Sequence, residues 1–128
     1  MKIKLPKYVS FSIFAYTFSG WLFMHIIKTK TLYDWLRIPK YKNAKDAIEA
    51  WVNDFSNTDY ANPNEIRTKY GSADFLGNNT LIFNIKGNHY RLIVRVRYQF
   101  KRVYIIWFGT HVEYDKLKDI ENLEFKES

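Results

Sequence analysis

Residues 81–114, LIFNIKGNHYRLIVRVRYQFKRVYIIWFGTHVEY, decide the fold of this chain. From Leu81 to Lys86 the residues Leu81, Phe83 and Ile85 alternate with Ile82, Asn84 and Lys86, the period-two pattern of a strand with one buried face. Gly87-Asn88 then permits a tight hairpin turn. In Tyr90 to Phe100 the alternation is cleaner: Leu92, Val94, Val96, Tyr98 and Phe100 point one way, while Arg91, Ile93, Arg95, Arg97 and Gln99 point the other. A third apolar run ends in the polar motif Thr110-His111-Val112-Glu113-Tyr114. The stretch reads as three consecutive, hairpin-connected strands.

Charge sets this sheet apart. Between Phe75 and Val112 there is no Asp or Glu, yet the segment carries Lys86, Arg91, Arg95, Arg97, Lys101 and Arg102. Side chains two residues apart on a strand project together at about 6–7 Å, near the spacing of successive phosphates along a nucleic-acid strand. The plainer alternative is a solvated charged face on a half-buried sheet. With no acids interleaved, mutual repulsion makes that arrangement uncomfortable, so the pattern favours a polyanion partner. Six acids, Glu113, Asp115, Asp119, Glu121, Glu124 and Glu127, crowd the last sixteen positions, where they can repel phosphate or pair back onto the sheet.

Upstream of the sheet the signals are helical. Met24-His25-Ile26-Ile27 is a short apolar opening of strand character, and Thr29 or Thr31 offers an N-cap for a brief helix over Leu32–Leu36 that Pro39 stops. Asn43 is placed to cap the next helix, in which Ala44, Ala47, Ile48, Trp51 and Phe55 form one core-facing stripe. Asn62-Pro63-Asn64-Glu65 has the order N-cap, Pro, then acid that starts a helix, Gly71 supplies a stop, and Ser72 to Thr80 reads as a turn-rich connection. Strand, helices, then strands is an α+β order, with helices on one side of a largely antiparallel sheet.

At 128 residues and 47% hydrophobic content the chain is one domain with a real core. Without cysteine there is no disulfide framework and no thiolate metal site, and His25, His89 and His111 lack the spacing of helical metal ligands. Residues 1–23 contribute three lysines and no acid, leaving 17 basic against 13 acidic residues in the rest. Their aromatic run, Val9 to Phe23, has the outline of a secretory signal but lacks small residues for cleavage, and it is short for a span. An over-called start, with Met24 opening the working domain at residues 24–128, fits it better than a signal or anchor.

Phe83-Asn84-Ile85-Lys86-Gly87-Asn88, then Tyr90-Arg91-Leu92, and later Gly109-Thr110-His111-x-Glu113-Tyr114-Asp115, resemble the HigB family of bacterial toxins in the RelE/ParE-like superfamily. The resemblance begins at Met24 and reaches about Leu117. It implies a RelE-like α+β fold with a short C-terminal helix. The implied activity is that of a cytoplasmic mRNA interferase, cutting messenger RNA on the translating ribosome without metal or organic cofactor and neutralised by a HigA-type helix-turn-helix antitoxin.

Metal-free RNA cleavage must deprotonate the 2′-hydroxyl, stabilise the phosphorane and protonate the 5′-oxygen. Arginine suits the second task, because its planar donors grip two phosphate oxygens and stay charged. His111 is the natural acid or base, and Tyr114, one turn on, can join the relay or stack on a base. The expectation is therefore Arg91 and Lys86 on the scissile phosphate, and Arg95, Arg97, Lys101, Arg102, Asn84 and Asn88 on the RNA. Ile106 departs from the basic residue common in the family. Three rivals stay open: a ParE-like gyrase-directed toxin, a non-catalytic RNA-binding module, and an exported or membrane-attached protein.

Overall fold

In the computed structural model, residues 23–125 are described, so the readings for residues 1–22 and 126–128 lie outside the described residues. Five strands form one sheet: β1 (His25–Ile27), β2 (Asp74–Leu76), β3 (Thr80–Ile85), β4 (Tyr90–Arg97) and β5 (Arg102–Thr110), in the order β1-β5-β4-β3-β2. Strands β2 to β5 run as an antiparallel meander, and β1 joins the outer edge of β5 in parallel.

Alternation along the central strands divides the sheet into two unlike faces. Leu81, Phe83, Ile85, Leu92, Val94, Val96, Val103, Ile105 and Phe108 face the main core. Helices cover that face: α1 (Thr29–Leu36), α2 (Lys45–Ser56) and α3 (Pro63–Lys69), with a 3-10 turn at Pro39–Ala44 between the first two. The stripe read along α2 is buried through Ile48, Trp51 and Phe55, and Phe55 packs its ring against Trp51, Tyr60, Tyr70 and Phe83. Beside this aromatic group, Asp54 gathers the hydroxyls of Tyr60 and Tyr70 and the ammonium of Lys69, which ties α2 to α3.

The predicted start of α3 is present: Asn62 accepts a hydrogen bond from the Glu65 N–H, while the Glu65 carboxylate accepts from the Ala61 N–H. The predicted cap of α2 is not. Asn43 falls inside the 3-10 turn, and Ala44 stands at the N-cap without a side-chain bond. The incoming turn already fixes the chain direction, so a capping side chain is dispensable there. Neither Thr29 nor Thr31 caps α1. Lys28 is the N-cap, in a left-handed conformation, and the Thr29 hydroxyl donates back to Ile26 O.

Three departures in the sheet have local causes. The connection from Ser72 to Thr80 contains β2, a three-residue strand too short to show alternation, and Asn78 and Asn79 with positive φ make the turn into β3. Strand β4 stops at Arg97. A 3-10 turn (Tyr98–Phe100) and a left-handed Lys101 reverse the chain with no Gly, Pro or Asn to announce it, so Phe100 is exposed instead of buried. The pairing of β4 with β5 shifts between Ile93 and Val94, so Ile93 opposes Trp107 and Val94 opposes Ile105, leaving Ile106 as the extra residue of a bulge. Consequently Ile106 and Trp107 both join a second apolar cluster with Ile82 and Ile93 on the far face.

That far face is not an open cationic surface. The chain beyond β5 crosses it, with Leu117, Ile120 and Leu123 packing on the second cluster. Ile106, which the family pattern marked as a departure, is a base for this cover.

Candidate active site

Pairing within the sheet brings the two motifs together. Arg91 lies opposite Asn84 on one side and Gly109 on the other, and Tyr90 opposes Thr110. The chain then turns from β5 into a single helical turn, α4 (His111–Tyr114), because Thr110 and Glu113 form a capping box: the Thr110 hydroxyl accepts from the Glu113 N–H, and the Glu113 carboxylate accepts from the Thr110 N–H. The His111 N–H donates to His89 O at 2.9 Å, which fastens this turn to the β3–β4 loop.

On that end of the sheet three of the predicted residues converge. Arg91 Nη2 lies 3.4 Å from His111 Nδ1, and its guanidinium carbon stands 5.6 Å from the centre of the Tyr114 ring. Its other terminal nitrogen donates to Asn88 O and Tyr90 O, at 3.1 and 3.2 Å, which holds the fork in place. Arginine can only donate, so this contact gives Nδ1 the lone pair and leaves the proton of a neutral imidazole on Nε2. Nε2 stands 3.5 Å from Asp115, and about half of the His111 side chain is exposed. Tyr114 is part-buried against Trp107. Burial, and then Asp74, push its hydroxyl above the usual range while Arg91 pulls the other way. The group is thus a neutral phenol near neutral pH, able to donate a hydrogen bond.

Glu113 anchors the arrangement from behind. Besides capping α4 it accepts from the Tyr41 hydroxyl at 2.7 Å and forms an ion pair with Lys40, both on the Pro39–Ala44 turn. Burial alone would raise its carboxyl, but the bonds from Lys40, the Thr110 N–H and Tyr41 override that and hold it down at about 2. Burial and the bond to this carboxylate push the Tyr41 hydroxyl up to about 12. Gly109 is needed for clearance: a Cβ there would lie 2.4 Å from the Trp107 ring and 2.7 Å from Glu113 Oε1. Sequence reading missed Lys40 and Tyr41, since they meet Glu113 across more than seventy residues and only folding joins them. The one legible signal was the Thr110–Glu113 spacing of a capping box.

The remaining predicted residues scatter. Lys86 has φ near 55° and Gly87 near 63°, so the strand alternation ends at Ile85. Lys86 lines an open groove with Ala47, Trp51 and Tyr70 beside the start of the hairpin turn. Asn84 lines the same groove and donates to Ser72 O, while Asn88 contributes its backbone carbonyl to Arg91.

Arg95 is spent on structure. Its guanidinium donates to Thr80 Oγ1, Leu123 O, Ile120 O and Glu121 O, bolting the C-terminal segment down. Arg97 and Arg102 are paired at the far end of the sheet from His111, and Lys101 there is ion-paired with Asp59. Among the described residues no group of three or more histidine or acidic side chains is placed to hold a metal ion, and no helix is long and apolar enough to cross a membrane.

A helix-backed, mostly antiparallel five-stranded sheet followed by a one-turn helix is the architecture of a RelE-like protein. The sequence pattern of the HigB toxins, the RelE-like toxic component of a toxin–antitoxin system, matches residues 44–117, and the chain belongs to that family. It is similar to the mRNA interferase HigB of Escherichia coli O6:H1 (strain CFT073), with 30% identity over 96 residues that span 73% of this chain and 91% of the relative.

Proposed function

We propose that this protein is an mRNA interferase that cuts messenger RNA by attack of a 2′-hydroxyl on the adjoining phosphate. The 2′-oxygen forms its bond to phosphorus, the bond from phosphorus to the 5′-oxygen breaks, and a 2′,3′-cyclic phosphate and a 5′-hydroxyl result. The observation that carries this reading is the contact of Arg91 with His111 above the Tyr114 ring. Arg91 grips the phosphate as charge builds on it, and its position beside the imidazole brings that charge to the proton carrier. His111, half exposed, moves a proton between the 2′-hydroxyl and the 5′-oxygen. Tyr114 donates a neutral hydrogen bond to the phosphate or stacks on a neighbouring base.

In this reading the chemistry needs no cofactor. Lys86 and Asn88 sit at the rim, within reach of a long substrate rather than in the reacting group. The protein acts in the cytoplasm on ribosome-engaged messages and is held inactive by a HigA-type helix-turn-helix antitoxin. Controlled expression in a host cell followed by mapping of RNA 5′ ends tests it. Wild type should generate new ends inside coding regions and arrest growth. Arg91→Ala and His111→Ala should each cut this cleavage by about 10²–10³-fold while the protein stays folded. Ends that are unchanged on induction, or cleavage that survives in both variants, would sink the proposal.

A further inference from the structure

Arg91 and His111 mark where an RNA strand is cut, but not where the strand goes next. Continuation down β4, the direction in which Arg95 and Arg97 lie, is closed. The guanidinium of Arg95 is committed to three backbone carbonyls of residues 120–123, and Leu117, Ile120 and Leu123 sit on the apolar cluster beside it. Asp115, Asp119, Glu121 and Glu124 are exposed on this same segment and outnumber its exposed Lys116 and Lys118, so the cover presents a net negative charge to any phosphate that approaches. Arg97 lies six residues beyond Arg91, about 20 Å away along the strand.

The other flank offers the opposite charge. Residues 37–45, RIPKYKNAK, carry Arg37, Lys40, Lys42 and Lys45, all exposed, and no acid. Tyr41 and Ala44, three apart and so on one side of the 3-10 turn, are buried, which turns Lys40 and Lys42 outward. Three ties fix this turn to the site: Tyr41 on Glu113, Lys40 on Glu113, and the Tyr90 hydroxyl on Lys40 O at 3.3 Å. The Tyr41 ring also packs edge-on against Phe108. Lys45 spends its charge on Glu49, and Lys40 shares its charge with Glu113, whereas Arg37 and Lys42 enter no ion pair among the described residues.

Resting on the interferase reading, we infer that the RNA strand being cut runs from the Arg91–His111 pair across the Arg37–Lys42 ridge, which binds its phosphates, and not along the face of β4. The ridge is a rigid cationic rail set at the end of the sheet that carries the reaction. Its anchoring through Glu113 means that the same carboxylate holds the His111 turn and the RNA path in register.

The test is binding of a short fluorescein-labelled single-stranded RNA of mixed sequence to the full chain, followed by anisotropy across a range of KCl concentrations. Each lost phosphate contact should lower the slope of log K against log salt by about 0.7, so Arg37→Gln with Lys42→Gln should lower it by about 1.4. Arg37→Lys with Lys42→Arg should keep the wild-type slope, which separates lost charge from lost structure, and thermal melting checks that each pair folds. The rival pair Arg97→Gln with Lys101→Gln should change the slope less. A larger change in the rival pair would overturn the inference. So would an unchanged slope for Arg37→Gln with Lys42→Gln, or a defect seen only with purified ribosomes. Cleavage by His111→Ala at the wild-type rate, together with a lowered slope in the ridge variant, would overturn the catalytic reading and leave the RNA path standing.

Discussion

The two faces of the sheet are built from the same strands and do different work. On the helical side, β3 to β5 meet aromatic and aliphatic side chains from α1 to α3, and the residues between the strands and helices are almost wholly excluded from water. On the far side the buried apolar residues among those described are Ile82, Ile93, Ile106 and Trp107, with the polar Thr80 beside them, under a strap with one helical turn at each end. Stability therefore rests on the first face. The second holds the candidate site at one edge and a cover elsewhere, and its arginines have three fates within one strand: Arg91 at the candidate site, Arg95 as a bolt, Arg97 exposed to solvent.

The largest expected effect tests the first face. Phe55→Ala empties a fully buried site touched by four aromatic rings and should cost about 3–5 kcal/mol in urea unfolding, most of a small domain's stability. A loss below about 1 kcal/mol would mean that the aromatic group repacks and does not anchor the fold.

Arg95→Met should cost less, about 2 kcal/mol, because the freed carbonyls of the strap can turn to water. Its signature is local. Amide exchange should speed up across residues 117–123 and change little in α2. Uniform acceleration over both faces would break the distinction drawn between them.

The smallest effect concerns the joint between the faces. The carboxyl of Glu113 is held at about 2 in the folded chain against an ordinary value of 4.5. A depressed carboxylate stabilises the fold above its unfolded value, and that contribution is lost as pH falls from about 4.5 through about 2. Glu113→Gln keeps a capping side chain but removes the charge, so it should cost about 1–2 kcal/mol near neutral pH and flatten the acid limb of a stability–pH curve. If wild type and variant lose stability in parallel over that range, Glu113 is not the latch described here.

Much of the fold was legible because burial writes itself as periodicity. The alternation in residues 81–97, the stripe from Ala44 to Phe55 and the Asn62–Glu65 helix start each express a local rule. The features that escaped have no local rule. Strand β2 is too short to alternate, the bulge at Ile106 depends on the neighbouring strand, and the turn at Tyr98–Lys101 uses no turn-forming residue. At the site, Arg91, His111 and Tyr114 could be nominated from residue chemistry and the paired motifs. Lys86 was nominated from its place beside the Gly87-Asn88 turn, and the positive φ that takes it out of the strand alternation has no signal in the sequence. Arg95 could not be read as a bolt, since its acceptors are backbone carbonyls, which carry no signature in the sequence.

By itself, then, the sequence determined the α+β order, the helix-backed face, the acid-free run of arginines and the two motifs that mark a HigB toxin. Only tertiary structure decided which of those arginines meets His111, which is bonded to the C-terminal segment, and that Lys40 and Tyr41 stand behind the candidate site. The physical reason is range. Hydrophobic period and capping act between residues a few positions apart, whereas the availability of a charge depends on whatever the rest of the chain lays against it.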